Sequence, residues 1–206
     1  MIKKETEAII FDLGGVILNI DYHLTQQAFI DLGIPNFEEM YSKLQQSDLF
    51  DRFETGDISS FHFINRLLDH LPQGMSGNKV VHAWNAMVLD FPVERLEWLL
   101  EMKKRYRIFL LSNTNTLHME VVRRALEKAV GHKDLEHYFE HVYLSCDMGL
   151  RKPTPEIFRR VCREQNLDPA TTVFIDDSPQ HVKGAASVGL QAIHLKPGQT
   201  VQSLFS

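Results

Sequence analysis

Four groups of side chains able to do chemistry stand where apolar runs end. Asp12 closes the run Ala8-Ile9-Ile10-Phe11 and is followed by Leu13, Gly14 and Gly15, after which Val16-Ile17-Leu18 resume. A carboxylate at the end of a buried strand is costly to desolvate, so it meets a cation, backbone amides or a substrate. The glycines let the chain turn sharply and let a ligand approach the backbone. An Asp before Gly-Gly also serves as a plain turn acceptor, and this segment alone leaves both open.

The second group, Ser112-Asn113-Thr114-Asn115, opens a helix after an apolar run. Capping needs one of these residues, which leaves the others free for an anion at the helix N-terminus. In the third, Thr154 and Pro155 already start a helix, so Lys152 faces either an anion or solvent. In the fourth, Ser178 and Pro179 suffice as a cap, leaving Asp176 and Asp177 with no structural task. Adjacent like charges repel unless a cation is present. A hard, oxygen-ligated ion such as Mg²⁺ is the natural partner, with Asp12 completing its acidic shell.

These groups must be carried to one place. From Phe91-Pro92 onward, helices at 93–104, 116–129, 155–165 and 180–188 alternate with strands at 108–111, 141–144, 172–175 and 191–195. Such alternation predicts an α/β fold with a Rossmann-like parallel sheet, helices on both faces, and ligands at the carboxyl ends of the strands. Between Tyr22 and Asp90 the periodicity is helical instead, at 24–32, 37–44, 58–71 and 80–88. Turn signals separate these pieces at Gly33-Ile34-Pro35, Gly56-Asp57 and Pro72-Gln73-Gly74, and the 57–60 stretch offers N-caps. The chain therefore divides into a core domain of residues 1–16 and 92–206 and an all-helical insert of residues 17–91.

With 206 residues, 44% of them apolar, the chain can bury a real core. Its 22 basic and 27 acidic residues give a net charge of −5 without a dense basic block, which argues against nucleic acid and anionic membranes as partners. Cys146 and Cys162 lack metal-ligand spacing and read as buried free thiols. Asp12 interrupts the apolar stretch a signal peptide needs, so a cytoplasmic location is expected. His137 and His141, four apart, are read as solvated or core histidines because the second opens a strand. The cationic 101–107 stretch is read as a solvated helix end.

Asp12-Leu-Gly-Gly-Val, Leu111-Ser112-Asn113-Thr114, Lys152-Pro153 and Phe174-Ile-Asp176-Asp177 resemble, in order and spacing, the four motifs of the haloacid dehalogenase-like hydrolases. The insert resembles that superfamily's helical cap. Ser112-Asn-Thr-Asn115 with Leu117-His118, and Leu144-Ser through Gly149-Leu-Arg-Lys-Pro153, resemble more closely the α-D-glucose-1-phosphate phosphatase subgroup. The resemblance implies that Asp12 is the nucleophile and forms an aspartyl-phosphate. It further implies Mg²⁺ held by Asp12, the Gly14 carbonyl, Asp177 and Asp176, and phosphoryl oxygens held by Ser112, the Asn113 backbone and Lys152. The implied activity is hydrolysis of a small phosphomonoester such as glucose 1-phosphate.

One position departs from the superfamily pattern. A second Asp, the usual proton donor, is replaced by Gly14, and losing a general acid costs about 10²- to 10⁴-fold in rate. A sugar 1-phosphate leaves through a comparatively acidic anomeric oxygen and suffers less. Asp21 or water could substitute, although a cap at the insert boundary explains Asp21 equally well. Two alternatives follow from the missing acid: a metal-independent 2-haloacid dehalogenase, and a non-catalytic binding or regulatory protein on the same fold. Tyr22, His23, Phe50, Phe53 and Trp84 of the insert are the candidates for choosing a substrate. Oligomeric state is not legible.

Overall fold

The computed structural model describes residues 2–34, 36–46 and 48–205, the side chains of 43–46 excepted. Pro35, one of the expected turn residues, lies outside them. Five strands form one parallel sheet: β1 (Ala8–Phe11), β2 (Arg107–Ser112), β3 (His141–Leu144), β4 (Thr172–Asp176) and β5 (Gln191–His194), in the order β3-β2-β1-β4-β5. β1 is central, with Phe11 in register with Leu110 on one side and Ile175 on the other.

Helices on both faces explain why the middles of these strands are apolar at consecutive positions rather than at alternate ones. Ile9, Phe11, Leu110 and Ile175 point to one face, where Leu99 of α6 (Val93–Lys103) and Val122 and Leu126 of α7 (Thr116–Val130) cover them. Ile10, Phe109, Leu111 and Phe174 point to the other, under Phe158 and Val161 of α9 (Pro155–Gln165) and Ala185 of α10 (Pro179–Ala186). Residues 16–18 do not extend β1. The amides of Ile17 and Leu18 both return to the Leu13 carbonyl at 2.9 Å, folding 13–18 into a compact turn whose apolar side chains are buried.

Between β1 and α6 the chain forms α1 (Tyr22–Asp31), α2 (Phe37–Gln46), α3 (Leu49–Glu54), α4 (Ser60–Leu68) and α5 (Gly77–Asn85). They enclose an aromatic core of their own around Phe29, Phe50, Phe53, Phe63 and Trp84. Phe63 stacks on Phe53 at 4.1 Å and meets Trp84 edge-on at 4.7 Å. Asp21 caps α1 by accepting from the His23 amide at 2.9 Å, and Ser59 caps α4 through the His62 amide at 3.2 Å. Neither α3 nor the four-residue α8 (Ser145–Met148) is visible in the sequence pattern, since elements this short show no periodicity and are held by packing.

The two chain crossings into this insert pair with each other. Asn19 N–H donates to Asp90 O at 2.9 Å, Leu89 N–H to Asn19 O at 3.1 Å, and Asp21 N–H to Met87 O at 2.9 Å. Arg95 of α6 fastens the ribbon through Ile17 O and Asn19 Oδ1. Away from this hinge, the insert touches the core at Ser60 Oγ and Thr116 Oγ1, 2.7 Å apart, and at Gly56, where an added Cβ would lie 2.4 Å from the Cys146 carbonyl. Among the described residues no helix is long and apolar enough to cross a membrane.

Because Phe63 is fully buried among rings, Phe63→Ala should destabilise the protein by about 3–5 kcal/mol in urea denaturation. A loss below about 1 kcal/mol would contradict this account of the insert's core.

Candidate active site

Parallel register brings three strand ends together. One step beyond Phe11, Asp12 stands beside Asp176 and donates its amide to Ile175 O at 2.9 Å. Lys152, fully buried, reaches between the two acids: its Nζ donates to Asp12 Oδ1 at 2.8 Å and to Asp176 Oδ2 at 2.7 Å. The Lys152 backbone is clamped from β2's end, since Asn113 Nδ2 donates to Lys152 O at 2.9 Å and Asn113 Oδ1 accepts from Lys152 N–H at 2.8 Å. Ser145 stitches the same loops together, its Oγ accepting from Thr114 N–H at 2.9 Å and donating to Thr114 O at 3.0 Å. Asn115 takes the capping task of α7 by accepting from the His118 amide at 3.0 Å, so Ser112 is left facing the site.

Asp176 corrects the expectation that both acids lack a structural task. Its Oδ1 accepts from Ser178 N–H at 2.8 Å, and His181 Nδ1 lies 3.0 Å from its carboxylate oxygens. A carboxylate two residues ahead reaches the Ser178 amide in an Asx turn, and neither Ser178 nor Thr154 makes the side-chain cap expected of it. Only Asp177 remains uncommitted. Its carboxylate lies over Gly15, where an added Cβ would come 2.2 Å from Asp177 Oδ2 and where φ is +73°. Both facts require glycine. The Asp177 carbonyl in turn lies 3.0 Å from His194 Nε2 of β5.

One oxygen each from Asp12, Asp176 and Asp177 lies within 4.8 Å of the others. Three carboxylates stand against the Lys152 ammonium and the His181 imidazole, and the all-oxygen donor set suits a hard divalent cation. Burial, only partly offset by Lys152 and further assisted by the Asp176 charge, raises the Asp12 pKa to about 6. Burial also opposes the Asp176 charge, but Lys152 and His181 outweigh it and hold that pKa at about 2. Burial and then the Asp176 charge raise Asp177.

A cavity of about 540 Å³ stands over these groups. Asp12, Ser112, Asn113, Lys152 and Asp177 form its floor, and Tyr22, Tyr41, Glu54 and Trp84 of the insert form its roof. Of the residues expected to choose a substrate, Tyr22 and Trp84 line this cavity. Phe50 and Phe53 are buried in the insert's core, and His23 is exposed outside the cavity. Asp21 is committed to its cap and does not line it.

Among the lining residues that the sequence reading does not single out are three charged or titratable ones beside the acids and in the roof: His181, Glu54 and Arg151. The first was findable, being a histidine one turn into the helix that follows two acids. Glu54 ends the short α3, and Arg151 pairs with it and, across 100 positions of chain, with Asp51, which no local pattern reports.

A family model for haloacid dehalogenase-like hydrolases matches residues 6–189. The chain belongs to the haloacid dehalogenase-like hydrolases. It is 30% identical over 190 residues, 92% of each chain, to the D-ribitol-5-phosphate phosphatase of Bacteroides thetaiotaomicron. It is 26% identical over 192 residues to the phosphorylated carbohydrates phosphatase of Thermotoga maritima, covering 91% of this chain and 84% of that one. A solved structure of a B. thetaiotaomicron enzyme of the family, in complex with magnesium and inorganic phosphate, superposes with a TM-score of 0.88 at 33% identity, covering 98% of this chain and 100% of that one.

For this haloacid dehalogenase-like hydrolase the Asp12 shift has a defined sign. A raised folded-state pKa contributes stability at low pH that is lost as pH rises through about 6. A cation binding the ionised cluster reverses that loss. The rise in melting temperature on adding Mg²⁺ should therefore grow between about pH 5 and pH 7.5. In Gly15→Ala the displaced Asp177 should weaken Mg²⁺ by about 10-fold or more. A pH-independent Mg²⁺ effect, or one untouched by Gly15→Ala, would contradict this picture of the acidic cluster.

Proposed function

We propose that the protein is a Mg²⁺-dependent phosphatase of a small phosphorylated carbohydrate, with residues 17–91 acting as a cap over the catalytic core. The observation that carries this is the Lys152-bridged cluster of three acids at the floor of a cavity lined by both the core and the insert. Asp12, the Gly14 carbonyl, Asp177 and Asp176 are the residues that would hold the ion. When bound, Mg²⁺ supplies neutralisation of charge between a carboxylate nucleophile and a phosphoryl group.

The remaining roles fall to side chains of this chain. Asp12 attacks phosphorus in line, the bond from phosphorus to the sugar oxygen breaks, and water then hydrolyses the aspartyl-phosphate. Lys152 keeps the Asp12 carboxylate ionised and turned to one side while its positive charge, with the Ser112 hydroxyl and the Asn113 backbone, steadies the phosphoryl oxygens. Paired acids at the floor disfavour the carboxylate of a haloacid, which argues against dehalogenation.

The substrate class follows from the two relatives named as phosphatases of ribitol 5-phosphate and of phosphorylated carbohydrates, and from a roof that mixes aromatic rings with a charged pair. Glucose 1-phosphate is the specific candidate because Gly14 leaves the usual acid position empty of a carboxyl, a loss that an anomeric leaving group tolerates best.

Phosphate release from a panel including α-D-glucose 1-phosphate and D-ribitol 5-phosphate, with Mg²⁺ or EDTA, tests the proposal. Release should require Mg²⁺ and fall by about 10⁴-fold or more in Asp12→Asn. Metal-independent halide release from 2-haloacids, or binding of esters without turnover, would replace it with one of the other two functions.

A further inference from the structure

Breaking a phosphate ester of an ordinary alcohol leaves an alkoxide unless a proton arrives with it. Gly14 cannot supply one, and its surroundings are apolar: a Cβ there would meet Ile20 Cδ1 at 3.1 Å. The donor must come from another wall of the cavity. Asp12, Asp177 and Lys152 belong to the ionic floor, and so does His181, whose Nδ1 is turned to Asp176, whereas in-line attack by Asp12 sends the departing oxygen toward the roof. His118 has both ring nitrogens engaged, Nδ1 at 3.1 Å from Asn115 Nδ2 and Nε2 at 3.2 Å from Trp84 O. The Tyr22 and Tyr41 phenols are made weaker acids still by desolvation of the hydroxyl end and by the Asp177 and Glu54 carboxylates, and Arg151 is paired with Asp51 and Glu54.

Glu54 is what remains. It ends α3 in the roof, its side chain 22% exposed, and its Oε2 lies 2.9 Å from Arg151 Nη2 but off the axis of a hydrogen bond, so that oxygen accepts none. Arg151 also pairs with Asp51, and it immediately precedes Lys152, so one loop aims both the roof carboxyl and the floor ammonium. Arg151, Asp51, Lys152 and His181 are the charges that act on Glu54, and burial raises its pKa against the pull of Arg151.

We infer that Glu54 is the proton donor that replaces the missing acid at position 14. As Asp12 bonds to phosphorus and the ester bond breaks, the Glu54 carboxyl gives its proton to the departing oxygen. In the second half Glu54 carboxylate takes a proton from the water that attacks phosphorus, which frees Asp12 and phosphate and restores the acid. This rests on the phosphatase reading above.

The test compares wild type, Glu54→Gln and Arg151→Met, with Mg²⁺, on p-nitrophenyl phosphate and on the best alkyl phosphate of the panel. Glu54→Gln should lose about 10²-fold or more in kcat on the alkyl ester, without a burst. On p-nitrophenyl phosphate, whose leaving group needs no proton, it should release one equivalent of nitrophenolate rapidly and then turn over slowly. Arg151→Met should raise the Glu54 pKa and move the alkaline limb of kcat upward by about one pH unit. Equal losses on both esters without a burst, or an unchanged kcat on the alkyl ester, would overturn the assignment. Should Glu54→Gln not fold, an unmoved alkaline limb in Arg151→Met would overturn it alone. A wild type inactive on every ester removes the phosphatase reading itself, whereas an active wild type with either negative result removes only the role of Glu54.

Discussion

The structure depends on one buried ammonium. Lys152 is fully enclosed, and an ion so placed costs several kcal/mol in desolvation unless it is paired. Asp12 and Asp176 pair it at 2.8 and 2.7 Å, and the Phe174 ring lies 5.4 Å beneath it. Removing one partner from such an arrangement typically costs about 3–5 kcal/mol, because the rest is left as uncompensated buried charge. The sheet order follows as a requirement: β1 and β4 must be neighbours, in register and parallel, for the two acids to share one cation.

Around that ammonium the loops are bound to one another rather than to solvent. Asn113 holds both backbone groups of Lys152, Ser145 holds both those of Thr114, and Asp176 holds the first amide of the turn into α10. A cluster that carries excess negative charge without a metal needs such a frame, since its own charges drive it apart. Gly15 shows how tight the frame is, because the Asp177 carboxylate occupies the space a methyl group would need.

The insert completes the site from above and is attached to the core in two ways. Its entry and exit strands pair in a short ribbon that Arg95 fastens to α6, which leaves few routes for the α1–α5 unit to move except about that ribbon. On the far side it meets the core through polar contacts, Ser60 with Thr116 and Arg151 with Asp51 and Glu54, and through apolar ones, Trp84 stacking on His118 at 5.1 Å and Leu117 of α7 buried in the insert's own cluster. The aromatic core under the roof keeps the insert rigid in itself.

Much of this was legible in residue order. Apolar runs each ending in a polar residue pointed to the strands, the parallel sheet, the helical insert and the placing of Asp12, Lys152, Asp176 and Asp177 at strand ends, because period and punctuation are local properties of a chain. The tertiary structure alone decided that Lys152 lies between two carboxylates, that Asp176 is already engaged while Asp177 is not, and that Asn113 serves Lys152 through its side chain. It likewise moved Phe50 and Phe53 from the site into the insert's core and brought Glu54 and Arg151 to the roof. The physical reason is the same in each case. Which partner a side chain meets is settled by register and by burial between elements far apart in sequence, and neither quantity has a signature in the spacing of residues along one segment.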